Sequence, residues 1–156
     1  MRPFKRLACV ISAVGLVSLN LPAQPGGAPV RVPGFLKFEA YNAIQSTPVQ
    51  NLLDDPKYPN SPDEVLYMTA FNTRTVYPND GHDNYGARIT GLITPTESGD
   101  YEFFLRSDDA SQLFINKTGE DLAAVELIAE ETGCCNAFQE TGATQTSPPI
   151  TLQGGK

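Results

Sequence analysis

Ser98-Gly99-Asp100-Tyr101-Glu102-Phe103-Phe104-Leu105-Arg106 decides the fold, together with Ser107-Asp108-Asp109-Ala110-Ser111 and Gln112-Leu113-Phe114-Ile115-Asn116 behind it. Tyr101, Phe103 and Leu105 alternate with Glu102, Phe104 and Arg106, the period of two that sends successive side chains to opposite faces of a strand. Gln112 to Asn116 resumes the strand habit. The mostly polar residues 107–111 between them predict a hairpin with a polar tip. Just upstream, Thr94 to Asp100 is a tight connection, and its Gly99 suits a turn position with positive φ.

Outward from this centre, short strand-like runs alternate with Pro/Gly-rich turns. Toward the N-terminus, Tyr85 to Ile93 reads as a strand weakened by Gly86 and Gly91, behind the turn-rich Tyr77 to Asn84. Glu64 to Asn72 is a further strand. Pro48 to Leu53 makes a helical turn ahead of the Asp54-Asp55-Pro56 break. Phe35 to Tyr41 is an aromatic-rich strand in which Phe35 stands apart from the Lys37–Tyr41 alternation. Toward the C-terminus, a helical turn near Asp121–Ala124 leads into a strand to about Glu130, where Val125, Leu127 and Ala129 alternate. Gly154-Gly155 reads as a turn into another strand, which predicts a domain incomplete at Lys156. Short strands separated by such turns indicate an all-β, antiparallel β-sandwich.

The chain opens with Arg2, Lys5 and Arg6, then the apolar run Leu7 to Leu19, then Pro22 and the small Ala23. Charged head, apolar centre and small-residue exit predict a signal peptide over residues 1–23 and a secreted or cell-surface location. Thirteen such residues cover about 20 Å as a helix, short of the ~30 Å hydrocarbon core, so no membrane insertion is expected of the mature chain. Residues 24–33, with Pro25, Gly26, Gly27, Pro29 and Pro33, read as a disordered leader. The domain is expected over 34–156.

Cleavage after Ala23 removes three of the eleven basic side chains and none of the eighteen acidic ones, leaving a net charge of −10. That argues against nucleic acid or an anionic membrane as partner. Two cysteines remain, the neighbours Cys134 and Cys135. They pair with each other only in a strained ring, so a partner cysteine outside the chain and two free thiols are the alternatives. No CxxC or Cys/His spacing indicates zinc or iron–sulfur.

Four blocks in register resemble the protective-antigen domain family, which also occurs in flocculins, adhesins and bacterial glycosidases. They are Asp55 to Asp63 in an early loop, Asp83 to Gly91 at the entry to a central strand, Ser98 to Asp109, and Leu113-Phe114-Ile115. The third is the family's hallmark: a turn, an aromatic strand and an acid pair. The likeness runs from about Gly34 to Lys156. It implies a jelly-roll-like sandwich and a non-catalytic module, with further domains in the same polypeptide. In adhesin members it also implies a calcium-dependent sugar site. There Asp108 and Asp109, joined by a cis peptide, turn both carboxylates to one calcium, with the remaining ligands on a second loop expected beyond Lys156. Calcium prefers 6–8 oxygen ligands, so two carboxylates alone are too few.

The resulting expectation is a carbohydrate-binding or adhesion module with Asp108 and Asp109 as metal and glycan ligands. A ligand-free spacer and an accessory domain of a glycoside hydrolase are the alternatives. Read without the resemblance, Asp108 and Asp109 are a solvated hairpin tip. Adjacent acids cannot flank a glycosidic bond as a hydrolase requires. His82, the single histidine, sits in a polar loop without a GxSxG partner, so no enzyme is expected. Asp83 and Asn84 read as caps of the turn before Tyr85. Phe35, Phe38, Tyr101, Phe103 and Phe104 read as core, and Asn116-Lys117-Thr118 as a chance glycosylation sequon.

Overall fold

The computed structural model describes residues 5–8, 33–119, 121–139 and 143–155. Its strands are β1 (Lys5–Ala8), β2 (Leu36–Asn42), β3 (Glu64–Met68), β4 (Tyr85–Thr90), β5 (Gly99–Phe104), β6 (Ser111–Ile115), β7 (Glu126–Glu131) and β8 (Ile150–Leu152). They form three groups, ordered β1-β5-β8, β3-β2-β4 and β6-β7. Every pairing is antiparallel except β1 on β5. The fold is all-β, as expected. One helical turn, α1 (Gln50–Leu53), lies where the sequence places it. Of the expected signal peptide only β1 falls within the described residues, and the expected leader lies outside them except for Pro33.

One core joins Tyr101, Phe103 and Leu105 to Leu113 of β6, Ile128 and Ala129 of β7, and Ile150 of β8. A second gathers Leu36, Phe38, Ala40, Met68, Tyr77 and Ile89, and Phe71 packs against both. Tyr41, on the opposite face of β2, is covered by Ile44, Leu52 and Tyr58. Both faces of β2 and β5 are therefore covered. Glu39 and Glu102 are as buried as the aromatics beside them, so the alternation in β5 does not separate core from solvent.

The expected hairpin does not form. β5 pairs with β1 on one edge and β8 on the other. The β8 side continues through the Phe104–Thr146 bridge and the Leu105 N–H to Gln145 carbonyl bond. β8 holds one edge of β5, and β6 pairs with β7 instead, burying Leu113 against Ile128 and Ala129, so residues 105–110 cross between sheets.

Gly99 begins β5 and, unlike Gly34 and Gly155, does not take positive φ, so the expected turn conformation is not found there. Strand β3 ends four residues early, in bends leading to a single 3-10 turn at Thr73–Thr75, where the Asn72 side chain accepts from the Arg74 N–H. Strand β4 stops before Gly91, where a Cβ would collide with the Leu36 side chain. In β7 the register slips opposite Leu113/Phe114, adding Ile128 as the extra residue of a bulge. Ile128 and Ala129 are buried while Leu127 is exposed, so the expected alternation breaks there. Phe35 is half exposed, whereas the other four aromatics expected in the core are buried.

Candidate functional site

Asp108 and Asp109 lie on the crossing between β5 and β6, both exposed to solvent, and the peptide bond joining them is cis. Ser107 and Ser111 flank them, and their hydroxyls meet at 2.6 Å. That bond closes the loop at its base, where β6 begins.

A second loop comes down on the first. Ser111 is paired across the sheet with Glu131, the last residue of β7. The Glu131 carboxylate is buried. It accepts from the Gly133 N–H at 3.0 Å and from the Asn136 amide at 3.1 and 3.2 Å, so it organises the chain that follows. That chain carries Cys134 and Cys135, joined to each other in a disulfide, which settles the alternatives left open by their spacing. Cys135 has φ 68°, and its N–H donates to the Ser107 carbonyl at 2.8 Å. Cys134 Sγ stands 3.3 Å from Asp108 Oδ1. A disulfide sulfur has no proton to give, so this is a contact and not a hydrogen bond.

A third element approaches from β4. Burial pushes the Tyr85 phenol above its ordinary pKa, the charge of Arg74 opposes this, and the negative charge of Asp108 adds to it. Tyr85 is thus within the field of Asp108. Its ring meets Tyr77 edge-on with centroids 5.2 Å apart, and His82 stacks on Tyr77 at 3.7 Å. His82, Asp83 and Asn84 are exposed, and Asn84 takes φ 53°, as a turn before Tyr85 requires.

Residues 55–156 match the model of the PA14 domain, the protective-antigen-like family. The chain belongs to the PA14 domain family. It is also 30% identical over 153 residues to Fibrocystin-L of Mus musculus, a match covering 96% of this chain and 4% of that protein. No solved structure matches the chain.

In this PA14 domain the acid pair is one part of a composite. Among the described residues, Asp108, Cys134 and Cys135 bring ligand-type atoms within 4.8 Å of one another, all exposed. With both sulfurs in a disulfide there is no thiolate for a soft metal such as zinc. The oxygen donor that remains in this group is the Asp108 carboxylate, with the exposed Asp109 carboxylate next to it in the chain but not part of the group, and carboxylate oxygens suit a hard cation. The residues fit calcium in donor type and fall short of a full shell by themselves. A wide depression of about 490 Å³, lined by Ile44, Gln45, Asn51, Asp54 and Asp55 among others, includes none of these groups.

The sequence pointed to Asp108 and Asp109 through the hallmark block. Glu131, Cys134, Cys135 and Tyr85 were not singled out as site residues. Their proximity depends on the β6–β7 pairing, and the adjacency of the two cysteines was the sole local signal.

Proposed function

We propose that this PA14 domain is a non-catalytic glycan-recognition module of an exported protein, with Asp108 and Asp109 at its centre. The observation that carries the reading is the hallmark block, ending in two exposed adjacent carboxylates on a loop tied down by Ser111 and Cys135. Asp108 and Asp109 would hold calcium through carboxylate oxygens, and calcium when bound supplies a hard cation to which vicinal sugar hydroxyls add. The loop is fixed before any ligand arrives, so little ordering entropy opposes binding. The exposed disulfide offers apolar surface beside Asp108, as the C–H face of a sugar requires.

A ligand-free spacer within a larger protein is the second reading. It is favoured by the small share of Fibrocystin-L, 4%, that this chain spans. A glycan array probed with the protein in calcium and again in chelator separates the two. Calcium-dependent retention of particular sugars supports recognition, and an array blank in both conditions supports the spacer.

A further inference from the structure

We propose that the Cys134–Cys135 disulfide is a redox latch on the acid-pair loop, so that the Asp108–Asp109 site binds its cation in the oxidised state and weakens when a dithiol opens the ring. The inference rests on the reading of Asp108 and Asp109 as calcium ligands and adds a regulator to it. Three features carry it. Cys135 and Cys134 both touch the loop that bears the acids, through the Ser107 carbonyl and the Asp108 carboxylate. The latch is anchored from below by buried Glu131, so its position is set independently of the acid pair. Both cysteines are exposed, so a small reductant reaches the sulfurs without unfolding the domain.

The backbone explains why opening the ring would matter. Cys135 sits at φ 68°, in the left-handed region that non-glycine residues rarely adopt. A bond between neighbouring side chains constrains the backbone between them. Once it is broken, Cys135 is free to return to negative φ, and its N–H turns away from Ser107. The chemistry is a thiol–disulfide exchange with a dithiol as reductant. The reductant's two sulfurs join in a disulfide, the Cys134–Cys135 bond breaks, and two electrons and two protons pass to give two protein thiols. Asp108 then loses the wall that stands beside it.

The test uses calcium alone as the probe. Its affinity is measured by calorimetry on the oxidised protein, on the dithiothreitol-treated protein and on the Cys134→Ser/Cys135→Ser double variant. Amide exchange at Ser107, Asp108, Asp109 and Cys135 is followed by NMR, and thermal melts are recorded in parallel. The expected result is an affinity weaker by about tenfold or more in both opened forms, restored on reoxidation, with faster exchange at Cys135 and an unchanged cooperative melt. Equal affinities with the ring open and closed would overturn the latch, as would loss of the cooperative melt on reduction, which would make the disulfide a global staple. If the oxidised protein binds no calcium, the calcium reading fails by itself. Exchange at Cys135 then decides the latch: faster on reduction supports it, unchanged overturns it.

Discussion

Ser147 meets both main-chain groups of Phe103. Its N–H donates to the Phe103 carbonyl at 2.9 Å, and its hydroxyl oxygen accepts from the Phe103 N–H at 2.9 Å. The same hydroxyl donates to the Pro148 carbonyl at 2.8 Å. A buried serine thus stands in for a ladder partner where β8 has not yet begun, and the strand that leads to the acid pair stays paired along that edge. Substituting Ser147→Ala leaves the Phe103 N–H buried without its acceptor. The expected loss is about 1–3 kcal/mol of unfolding free energy, read from urea melts. A change below ~0.5 kcal/mol would mean that the hydroxyl is dispensable.

Glu39 and Arg88 supply a pH-dependent part of the stability. Burial works to raise the Glu39 carboxyl, but bonds from Arg88 at 2.7 Å and from Lys37 outweigh it and hold the pKa below its ordinary 4.5. A depressed folded value means that this stabilisation is complete above the unfolded value and is lost as pH falls through the folded one. Glu39→Gln should therefore cost about 3 kcal/mol at pH 7, because Arg88 is left largely buried without its counter-charge. The gap between parent and variant should narrow as the pH is lowered past the folded value. Urea melts across that range check this, and a gap independent of pH would show that the ion pair is not its source.

Strands β2 to β7 were legible in the sequence because prolines, glycines or polar turns bracket them and β-formers fill the runs between, whereas β1 and the three-residue β8 were not read as strands. Partner choice was not. Nothing local in Tyr101–Ile115 says that β5 takes β8 as a partner and that β6 takes β7, so a hairpin was the natural expectation. The bulge at Ile128 likewise depends on cross-strand packing against Leu113, and it turned Leu127 outward. At the candidate site the acids were visible as a motif, whereas the Cys134–Cys135 loop reaches them only through the β6–β7 pairing.

Gly154 lies against the 95–98 connection. Its N–H donates to the Ser98 hydroxyl, the Gly155 N–H donates to the Pro95 carbonyl, and a Cβ on Gly154 would stand 2.9 Å from the Glu97 and Ser98 backbone. Backbone gives way less readily than a side chain, so Gly154→Ala should destabilise by about 1–3 kcal/mol through overpacking. A melt matching the parent's would show that the turn moves aside freely.

The N-terminal reading is tested by sequencing the secreted product. A mature start at Gln24 is expected, with β1 removed. The β8 pairing and the Ser147 bonds to β5 lie outside the cleaved segment. An intact Met1 on exported protein would contradict it and leave β1 in place beside Tyr101–Phe104.

Calcium calorimetry on the parent, Asp109→Asn and Asp83→Asn tests the central claim most directly. Both residues are exposed acids on loops, so general surface charge is matched and only position differs. The account predicts that the parent binds calcium, that Asp109→Asn weakens it by about tenfold or more, and that Asp83→Asn stays within about twofold. Equal effects of the two substitutions, or no binding by the parent, would contradict the assignment and leave Asp108 and Asp109 a feature of the turn alone.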